Sequence, residues 1–372
     1  MKTVCNENQC TGCMACVDIC AKNAIHIVDA IDAFNAVIDE GKCVNCGMCE
    51  KVCQQKNVPQ LRSPIIWKQG WTYDDKTRMR SASGGIATEL ARTFIEKGGK
   101  VRGGNFVFDI VEDVNRLDCF AGSKYIKSNP IGIYKTIKRE LAKETEILFI
   151  GLPCQVVALR NYVGDSLSER LTTIDLICHG TPSPKILDMF LKQYGEDIHK
   201  VTSIDFRVKG NFQVSEKTRT IATRGVCDRY MISFLTALSY TENCYSCKYA
   251  QEKRPGDITL GDSWGTELPE NEWKKGISLI LCQTEKGITL SESANVKIVD
   301  VNVDKAKSHN HQLEHPSKAP KSREKFIKHI KHGMKFNRAV LLALPKDCGK
   351  QAVKEILIKC KLLAPGGGNV SN

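Results

Sequence analysis

The stretch Cys10-Thr-Gly-Cys13-Met-Ala-Cys16-Val-Asp-Ile-Cys20 returns further along the chain as Cys43-Val-Asn-Cys46-Gly-Met-Cys49-Glu-Lys-Val-Cys53. Each run reads C-x2-C-x2-C-x3-C, and each cysteine of the second run lies 33 positions after its counterpart in the first. With two residues between cysteines, a loop can curl so that three thiolates bind three corners of one cubic iron–sulfur cluster. The backbone N–H groups of such a loop face the sulfurs. Zinc sites usually show paired C-x-x-C units separated by longer gaps. The spacing therefore favours iron–sulfur clusters over zinc or a disulfide framework.

This pattern is typical of bacterial two-cluster ferredoxins, in which the fourth cysteine of each run binds the other cluster. We therefore predict one [4Fe-4S] cluster on Cys10, Cys13, Cys16 and Cys53, and a second on Cys43, Cys46, Cys49 and Cys20. A proline often follows the fourth cysteine, whereas Ala21 and Gln54 stand there in this chain.

Composition limits the class of protein. The chain has 372 residues, enough for two or three domains, and 18 cysteines. No apolar leader precedes the first run and no run of about 18 apolar residues occurs, so we expect a cytoplasmic protein without a membrane span. The formal charge of +12 falls to +8 with two clusters at −2 each and to +6 with three. No nucleic-acid motif accompanies this basic excess, and we expect no nucleic-acid partner.

The pattern of strands and helices divides the chain into a ferredoxin module and a larger domain. We predict a two-cluster ferredoxin domain over 1–58 with short strands around Ala24–Val28 and Ala36–Ile38, and a proline-containing linker over 59–64. Two strand–loop–helix units, over 146–162 and 171–194, predict an α/β arrangement in a larger domain with an N-terminal part over 65–160 and a C-terminal part over 161–320. The segment 321–372 reads as a basic helical tail. Asp113–Phe120 reads as an extended segment. The expected fold class is α+β, with a mixed sheet in the second domain.

Several segments carry residues suited to a phosphate-bearing ligand. Ser83-Gly84-Gly85 precedes an amphipathic helix, where free N–H groups favour a phosphate, although a plain serine cap with turn-forming glycines explains the same residues. Ser123-Lys124-Tyr125 could line a phosphate and ring site or form an ordinary loop.

A third metal site is suggested by four further cysteines. Cys154 and Cys178 each follow a buried strand, and Cys244 and Cys247 form a C-x-x-C pair. Together they would hold a third [4Fe-4S] cluster, with zinc as the alternative metal. Cys154 and Cys178 could instead pack as apolar core residues. The remaining cysteines show no ligand spacing and are interpreted as structural: Cys5, Cys119, Cys227, Cys282, Cys348 and Cys360.

These segments together resemble the beta subunit family of coenzyme F420 hydrogenases and dehydrogenases. The resemblance rests on segments spread over about 65–320: Ser81–Gly85, Gly122–Tyr125, Gly151–Gln155, Cys178–Ser183, Phe206–Lys209, Cys244-x-x-Cys247 and Asp257–Asp262. It implies an FAD-containing iron–sulfur oxidoreductase with a cluster in its own α/β domain. It also implies that Ser83-Gly84-Gly85 and Ser123-Lys124-Tyr125 contact the flavin and that Cys154, Cys178, Cys244 and Cys247 are ligands.

The expected function converts two-electron into one-electron chemistry, because clusters pass single electrons while a flavin handles both. His179 is a candidate proton donor or flavin-binding residue, or it only supports the cluster loop. Lys124 and Arg207 could neutralise a phosphate or a reduced flavin, or be surface charges. We expect electrons from ferredoxin or another electron-transfer protein to reduce an organic substrate, or exchange with coenzyme F420. The alternative is a non-catalytic electron-transfer subunit whose basic C-terminal region binds an acidic partner.

Overall fold

The computed structural model describes residues 2–104, 108–198, 204–209, 211–216 and 219–364. The strands are β1 Ile25–Asp29, β2 Phe34–Ile38, β3 Ile66–Thr72, β4 Lys100–Gly104, β5 Phe108–Val111, β6 Ile147–Gly151, β7 Leu171–Leu176, β8 Ile204–Val208, β9 Asn211–Glu216, β10 Arg219–Thr220, β11 Ile258–Asp262, β12 Ser278–Cys282 and β13 Val296–Asp300. The α-helices are α1 Ala15–Ile19, α2 Met48–Val52, α3 Asp75–Arg80, α4 Ile86–Glu96, α5 Ile133–Leu141, α6 Pro153–Val163, α7 Pro184–Lys192, α8 Arg229–Leu235, α9 Glu270–Trp273, α10 Glu285–Ser293, α11 Val303–Ser308, α12 Arg323–Lys331, α13 Phe336–Ala343 and α14 Pro345–Lys359.

The N-terminal module repeats one small unit around each cysteine run. A short helix begins within each run, at Ala15 and at Met48, directly after a residue with positive φ: Met14 at 62° and Gly47 at 71°. That left-handed turn reverses the chain and lets the preceding cysteines converge. The strands β1 and β2 pair antiparallel between the two runs, with Ile25 opposite Ile38. The predicted short strands are confirmed.

The larger domain is built on a mixed sheet. Eight of the described strands lie in the order β13-β3-β12-β11-β7-β6-β4-β5. The four strands β4, β6, β7 and β11 run parallel, while the outer strands pair antiparallel. Parallel strands covered on both faces read as continuous apolar runs, as in Ile147-Leu148-Phe149-Ile150 of β6. Because β6 and β7 are neighbours, the loops that follow them meet at one edge of the sheet.

A second, three-stranded sheet of β8, β9 and β10 packs with helices beside the first. Its core joins Phe190 of α7 and Tyr230 of α8 to Phe326 of α12 and Phe336 of α13. The C-terminal helices are therefore part of this core, and their buried aromatic rings hold them there. Residues 365–372 of the predicted tail lie outside the described residues.

One predicted element is wrong. The segment predicted as extended over Asp113–Phe120 forms a 3₁₀ helix over Val114–Phe120. The Asp113 side chain accepts a hydrogen bond from the Asn115 N–H at 2.9 Å and so caps the helix start. Aspartate commonly closes such local turns, and this local preference overrides the alternation that suggested a strand.

The ferredoxin module is bonded to the larger domain at several points. The Asp18 carboxylate accepts from the Gly132 N–H at 2.8 Å, at the start of α5. The Lys185 ammonium donates to the Asp29 carbonyl at 2.7 Å. The Asp32 carboxylate pairs with Lys331 of α12 at 2.7 Å. These contacts fix the module on the edge of the sheet that carries the β6 and β7 loops.

Candidate iron–sulfur and flavin site

The second cysteine run, with Cys20 from the first, lies at the protein surface. We call these four cysteines the outer site: Cys20, Cys43, Cys46 and Cys49. Cys46 is exposed and the other three are half-buried. The Asn45 N–H points to the Cys43 sulfur at 3.4 Å, and the Ala24 N–H points to the Cys20 sulfur at 3.3 Å. Such N–H groups stabilise thiolates that bind iron.

The other four ferredoxin cysteines are buried, and we call them the inner site: Cys10, Cys13, Cys16 and Cys53. Burial raises the pKa of the Cys13 thiol, and the neighbouring thiolates of Cys10 and Cys53 raise it further. Cys53 thus lies with the first run although it ends the second, as the crossed ligand pattern predicts. All four inner-site cysteines line one small cavity.

Cys5 lines the same cavity, which its sequence spacing did not reveal. It is 6% exposed and its thiol hydrogen-bonds to Cys10 and Cys53. The hydrogen bond from Cys5, opposed by burial, lowers the pKa of Cys53 to about 6. Cys5 belongs to no sequence motif, so only its position in the folded protein identifies it as a fifth thiol of this site.

The larger domain brings Cys154, Cys178, Cys244 and Cys247 together, and we call these the domain site. Cys154 opens α6 after β6, Cys178 follows β7, and Cys244 lies in the 3₁₀ turn Glu242–Ser246. Burial raises the pKa of the Cys178 thiol, and nearby Cys244, Cys154 and Cys247 raise it further, against the opposing effect of Lys127. Burial, then Cys244 and Cys154, raises the pKa of Cys247 to about 11.

Two buried contacts hold the loops of the domain site. Gly180 has φ +138°, and a Cβ there would lie 2.3 Å from the Tyr240 ring, so the loop after Cys178 needs glycine. The Arg254 guanidinium donates to the Asp175 carboxylate at 2.6 and 3.0 Å and to the Tyr249 carbonyl at 2.5 Å. Arg254 therefore ties the end of β7, before Cys178, to the segment after Cys247.

The three cysteine sites adjoin one another in a row. Cys49 of the outer site is among the thiols that raise the pKa of Cys16, after the larger effects of burial and of the inner-site cysteines. Cys154 of the domain site likewise contributes to the raised pKa of Cys13. The row therefore runs from the surface, through the buried inner site, to the domain site.

Buried donors without a partner surround the inner and domain sites. In the described part of the chain, the Tyr134 hydroxyl, the Gln155 amide nitrogen and the Thr181 hydroxyl form no hydrogen bond. Tyr134 lies near Cys13 and Cys154, Gln155 follows Cys154, and Thr181 lies three residues after Cys178. Buried polar groups are normally paired, and cluster sulfurs would accept these bonds. The residues therefore fit iron–sulfur clusters at both sites.

Beyond the domain site lies an ion pair surrounded by aromatic rings. The Arg207 guanidinium donates to the two oxygens of Asp262 at 2.6 and 3.2 Å. It lies 4.9 Å from the Phe212 ring and 5.2 Å from the Trp264 ring. Arg207 and Ser123 also hydrogen-bond to the half-buried Tyr125. The structure thus brings Ser123, Tyr125 and Arg207 together, and Arg207 is buried rather than a surface charge.

The predicted phosphate turn, Ser83-Gly84-Gly85, reaches the same region through Lys209. The Lys209 ammonium donates to the Ser83 carbonyl at 3.1 Å and to the Arg78 carbonyl. Burial, then Arg78 and Arg207, lowers the pKa of Lys209 to about 8. Lys209 ends the Phe206–Lys209 segment that carries the family resemblance, but no role was expected for its side chain.

The glycines of this turn are explained by packing. A Cβ on Gly84 would lie 2.4 Å from the Gly70 carbonyl oxygen, and one on Gly85 would lie 2.7 Å from the Thr72 methyl. The Gly84 N–H donates to the Ser278 hydroxyl at 3.0 Å. The Lys124 ammonium donates to the carbonyls of Ala121 and Gly122. These donors are already engaged within the chain.

His179, next to Cys178, is held by a buried amide. The Gln312 amide nitrogen lies 2.7 Å from His179 Nδ1, and the Ser317 hydroxyl donates to the His179 carbonyl at 2.7 Å. Because the amide donates, Nδ1 accepts and Nε2 carries the proton of the neutral ring. Burial, then His311, lowers the pKa of His179 to about 4. His179 is thus neutral, and its Nε2–H is a donor close to Arg207 and Asp262.

Two kinds of feature are absent from the described residues. No three histidine, cysteine, aspartate or glutamate side chains there lie close enough together to hold a single metal ion. In the same part of the chain, no helix has both the length and the apolar character needed to cross a membrane.

Two family models match the chain. Residues 9–57 match a 4Fe-4S dicluster domain. Residues 144–305 match the C terminus of the coenzyme F420 hydrogenase/dehydrogenase beta subunit. The first match covers the outer and inner sites, and the second covers the domain site.

Curated relatives point the same way. A subunit of the F(420)H(2) dehydrogenase of Methanosarcina mazei is 24% identical over 239 residues, 58% of this chain and 66% of the relative. The coenzyme F420-dependent sulfite reductase of Methanocaldococcus jannaschii is 23% identical over 326 residues, 80% of this chain and 48% of the relative. The chain thus spans about two thirds and about half of these relatives' lengths.

A solved structure shares the fold. A chain of the xenon-derivatised F420-reducing [NiFe] hydrogenase complex from Methanosarcina barkeri aligns with a TM-score of 0.50 and 16% identity. The alignment covers 75% of this chain and 98% of the other. The resemblance expected from the motifs is confirmed over the two matched stretches: residues 9–57 are a 4Fe-4S dicluster domain, and residues 144–305 match the C terminus of the coenzyme F420 hydrogenase/dehydrogenase beta subunit.

Proposed function

We propose that this protein is an iron–sulfur flavoprotein oxidoreductase that passes electrons between three [4Fe-4S] clusters and FAD. The observation that carries the proposal is the row of cysteine sites, which begins at the surface and ends at Cys178, whose neighbour His179 lies near Arg207 and Asp262. The outer, inner and domain sites would each hold one cluster, and each cluster supplies one-electron transfer.

The residues beyond the domain site suit a flavin. Arg207 and Lys209 place positive charge where a reduced flavin or its phosphates need neutralising. Tyr125 and Trp264 offer rings on which a planar cofactor or substrate could stack. Ser123 would add its hydroxyl beside Tyr125. The Lys124 ammonium would have to leave the carbonyls of Ala121 and Gly122 to reach a flavin phosphate. The turn Ser83-Gly84-Gly85 would contribute through its position beside Lys209.

His179 would orient the flavin. Its neighbour Gln312 fixes the ring so that Nε2–H is the free donor. A neutral imidazole N–H donates a hydrogen bond to a carbonyl or ring nitrogen without changing its charge. We assign His179 this hydrogen-bonding role and expect the substrate to approach the flavin from the same side.

The electron donor and the acceptor substrate are proposed from the exposure of the outer site and from the relatives. The outer site is exposed, which suits reduction by ferredoxin or another electron-transfer protein. The relatives named above are proteins of coenzyme F420, and this deazaflavin is the alternative partner. We favour ferredoxin as donor and an organic substrate as acceptor.

A second function is favoured by the C-terminal helices. Leu341 and Leu342 of α13 and Val353 and Ile356 of α14 are exposed and apolar, and α14 also carries four lysines: Lys346, Lys350, Lys354 and Lys359. Such a face suits a non-catalytic electron-transfer subunit that binds an acidic protein. Turnover of a substrate by the isolated chain would contradict this second function.

The test begins with iron and flavin content after anaerobic purification. The proposal expects about 12 iron atoms and one FAD per chain, and about 4 fewer iron atoms in Cys247→Ser. Cys282→Ser, which changes a buried cysteine of β12 outside all three sites, is the matched control and should keep its iron. Unchanged iron in Cys247→Ser would refute the domain cluster.

The electron donor is then identified by mixing. Reduced ferredoxin and reduced coenzyme F420 are added separately, and the bleaching of flavin and cluster absorption is followed. Bleaching by ferredoxin alone supports the proposed direction. Bleaching by the deazaflavin alone would refute the ferredoxin-fed reaction and favour coenzyme F420.

A further inference from the structure

A buried lysine lies between the inner site and the domain site. Lys127 is 4% exposed. Its N–H donates to the Pro182 carbonyl at 3.3 Å, which holds it beside the loop that follows Cys178. Within the described part of the chain its ammonium forms no ion pair with a carboxylate. A buried lysine needs a counter-charge, so its surroundings must supply one.

Cysteines from both sites supply that counter-charge. The main electrostatic neighbours of the Lys127 ammonium are Cys154, Cys244 and Cys178 of the domain site and Cys13 of the inner site. Lys127 is likewise a charged neighbour of Cys10 in the inner site. One cation therefore faces thiols of both sites.

We propose that Lys127 is the shared counter-charge of the inner and domain clusters and raises the reduction potentials of both. This inference rests on the proposed function, which places clusters at these two sites. A cluster with four thiolates carries a net charge of about −2 when oxidised and gains one electron on reduction. A buried cation stabilises the more negative, reduced state more strongly.

Two clusters that lie close to one cation also lie close to each other. The electron that reduces one cluster adds negative charge beside the other, which makes reduction of the other less favourable. A single electron would thus be held on one cluster of the pair. The outer site has no part in this effect, because none of its cysteines is among the main electrostatic neighbours of Lys127.

The experiment is an anaerobic redox titration of the holoprotein followed by electron paramagnetic resonance. Lys127→Met removes the charge and keeps much of the length, while Lys127→Arg keeps the charge. Lys192→Met is the control, because Lys192 carries the same charge on the exposed side of α7, paired with Asp188. We expect the midpoints of two clusters to become more negative in Lys127→Met, with the third unchanged. Lys127→Arg and Lys192→Met should keep the midpoints of the natural protein.

The outcomes separate this inference from the proposed function. Natural protein with about 8 iron atoms rather than about 12 would refute the domain cluster and with it the proposed function. Full iron loading with unchanged midpoints in Lys127→Met would refute the role of Lys127 alone, as would an equal shift in Lys127→Arg. If Lys127→Met does not retain its iron, the neutral and polar Lys127→Gln replaces it, with the same expected shift and the same refuting result.

Discussion

Replacing Arg254 with methionine should destabilise the larger domain and loosen the domain site. Arg254 and Asp175 are each about 1% exposed or less, and the guanidinium donates to Asp175, to the Tyr249 carbonyl and to the Leu176 carbonyl. Removing one partner of such a pair leaves an uncompensated buried charge, which costs about 3–5 kcal/mol. In Arg254→Met the Asp175 carboxylate keeps the hydrogen bond from the Gly256 N–H at 2.8 Å but loses its counter-charge.

The cost should depend on pH. Burial raises the pKa of Asp175 even with Arg254 present, and loss of the guanidinium should raise this pKa further. A carboxyl whose pKa is higher in the folded than in the unfolded state loses stability as pH rises toward the folded pKa. The stability difference between Arg254→Met and the natural protein should therefore be larger at about pH 8 than at about pH 5.5.

Anaerobic urea unfolding measures this difference through tryptophan fluorescence and cluster absorption. The double variant Asp175→Asn/Arg254→Met should recover part of the loss, because the amide carries no charge. The exposed pair of Lys192 and Asp188 provides the control, since Lys192→Met should leave the unfolding midpoint nearly unchanged. An unchanged midpoint in Arg254→Met, or a deficit that is the same at both pH values, would refute the reasoning.

Three further predictions follow from particular contacts. Gly180→Ala should lower the iron content by about 4 atoms per chain, because the added Cβ would overlap the Tyr240 ring. Gly132→Ala is the control and should keep its iron, because a Cβ at Gly132 would have no atom within 4 Å. Equal iron content in the two variants would contradict this prediction. Tyr249→Phe should lower the free energy of unfolding by about 1–3 kcal/mol, because it removes the hydrogen bonds from the Tyr249 hydroxyl to the carbonyl and side chain of Gln54. A free energy of unfolding equal to that of the natural protein would show that this contact contributes nothing. Burial raises the pKa of Asp228 to about 6, so the natural protein should lose stability as pH rises through that value, whereas Asp228→Asn should not. The difference in unfolding free energy between the natural protein and Asp228→Asn should therefore change by about 2–3 kcal/mol. Parallel pH profiles of the two proteins would disprove this prediction.

The sequence predicted the parts of this protein that are governed by local spacing. The two cysteine runs, the strands β6 and β7 and the helices that follow them could be read from repeat and periodicity, because each depends on residues close in the chain. The meeting of Cys154 and Cys178 was also foreseeable, since parallel neighbouring strands end at one edge of a sheet.

Contacts between distant segments could not be predicted in the same way. Cys5 and Lys127 lie in no motif, and no role was expected for the Lys209 side chain. The contacts of all three arise only when far-separated segments pack together. The 3₁₀ helix after Asp113 shows the opposite failure, in which a local cap overrode an apparent strand pattern. The glycines of the Ser83-Gly84-Gly85 turn show a third kind of limit. The sequence suggested a phosphate site there, but close packing against β3 and β12 also requires these glycines.

The side chain that replaces the customary proline after Cys53 has a consequence for motion. Gln54 is 1% exposed, donates to the Thr11 hydroxyl at 2.9 Å and accepts from Tyr249, so it locks the ferredoxin module to the larger domain. A mobile carrier delivers electrons by diffusing on a tether, and its rate falls as the solvent thickens. Here the ferredoxin module is held in a fixed position on the larger domain. The rate of electron transfer from the inner site to the domain site should therefore be independent of solvent viscosity.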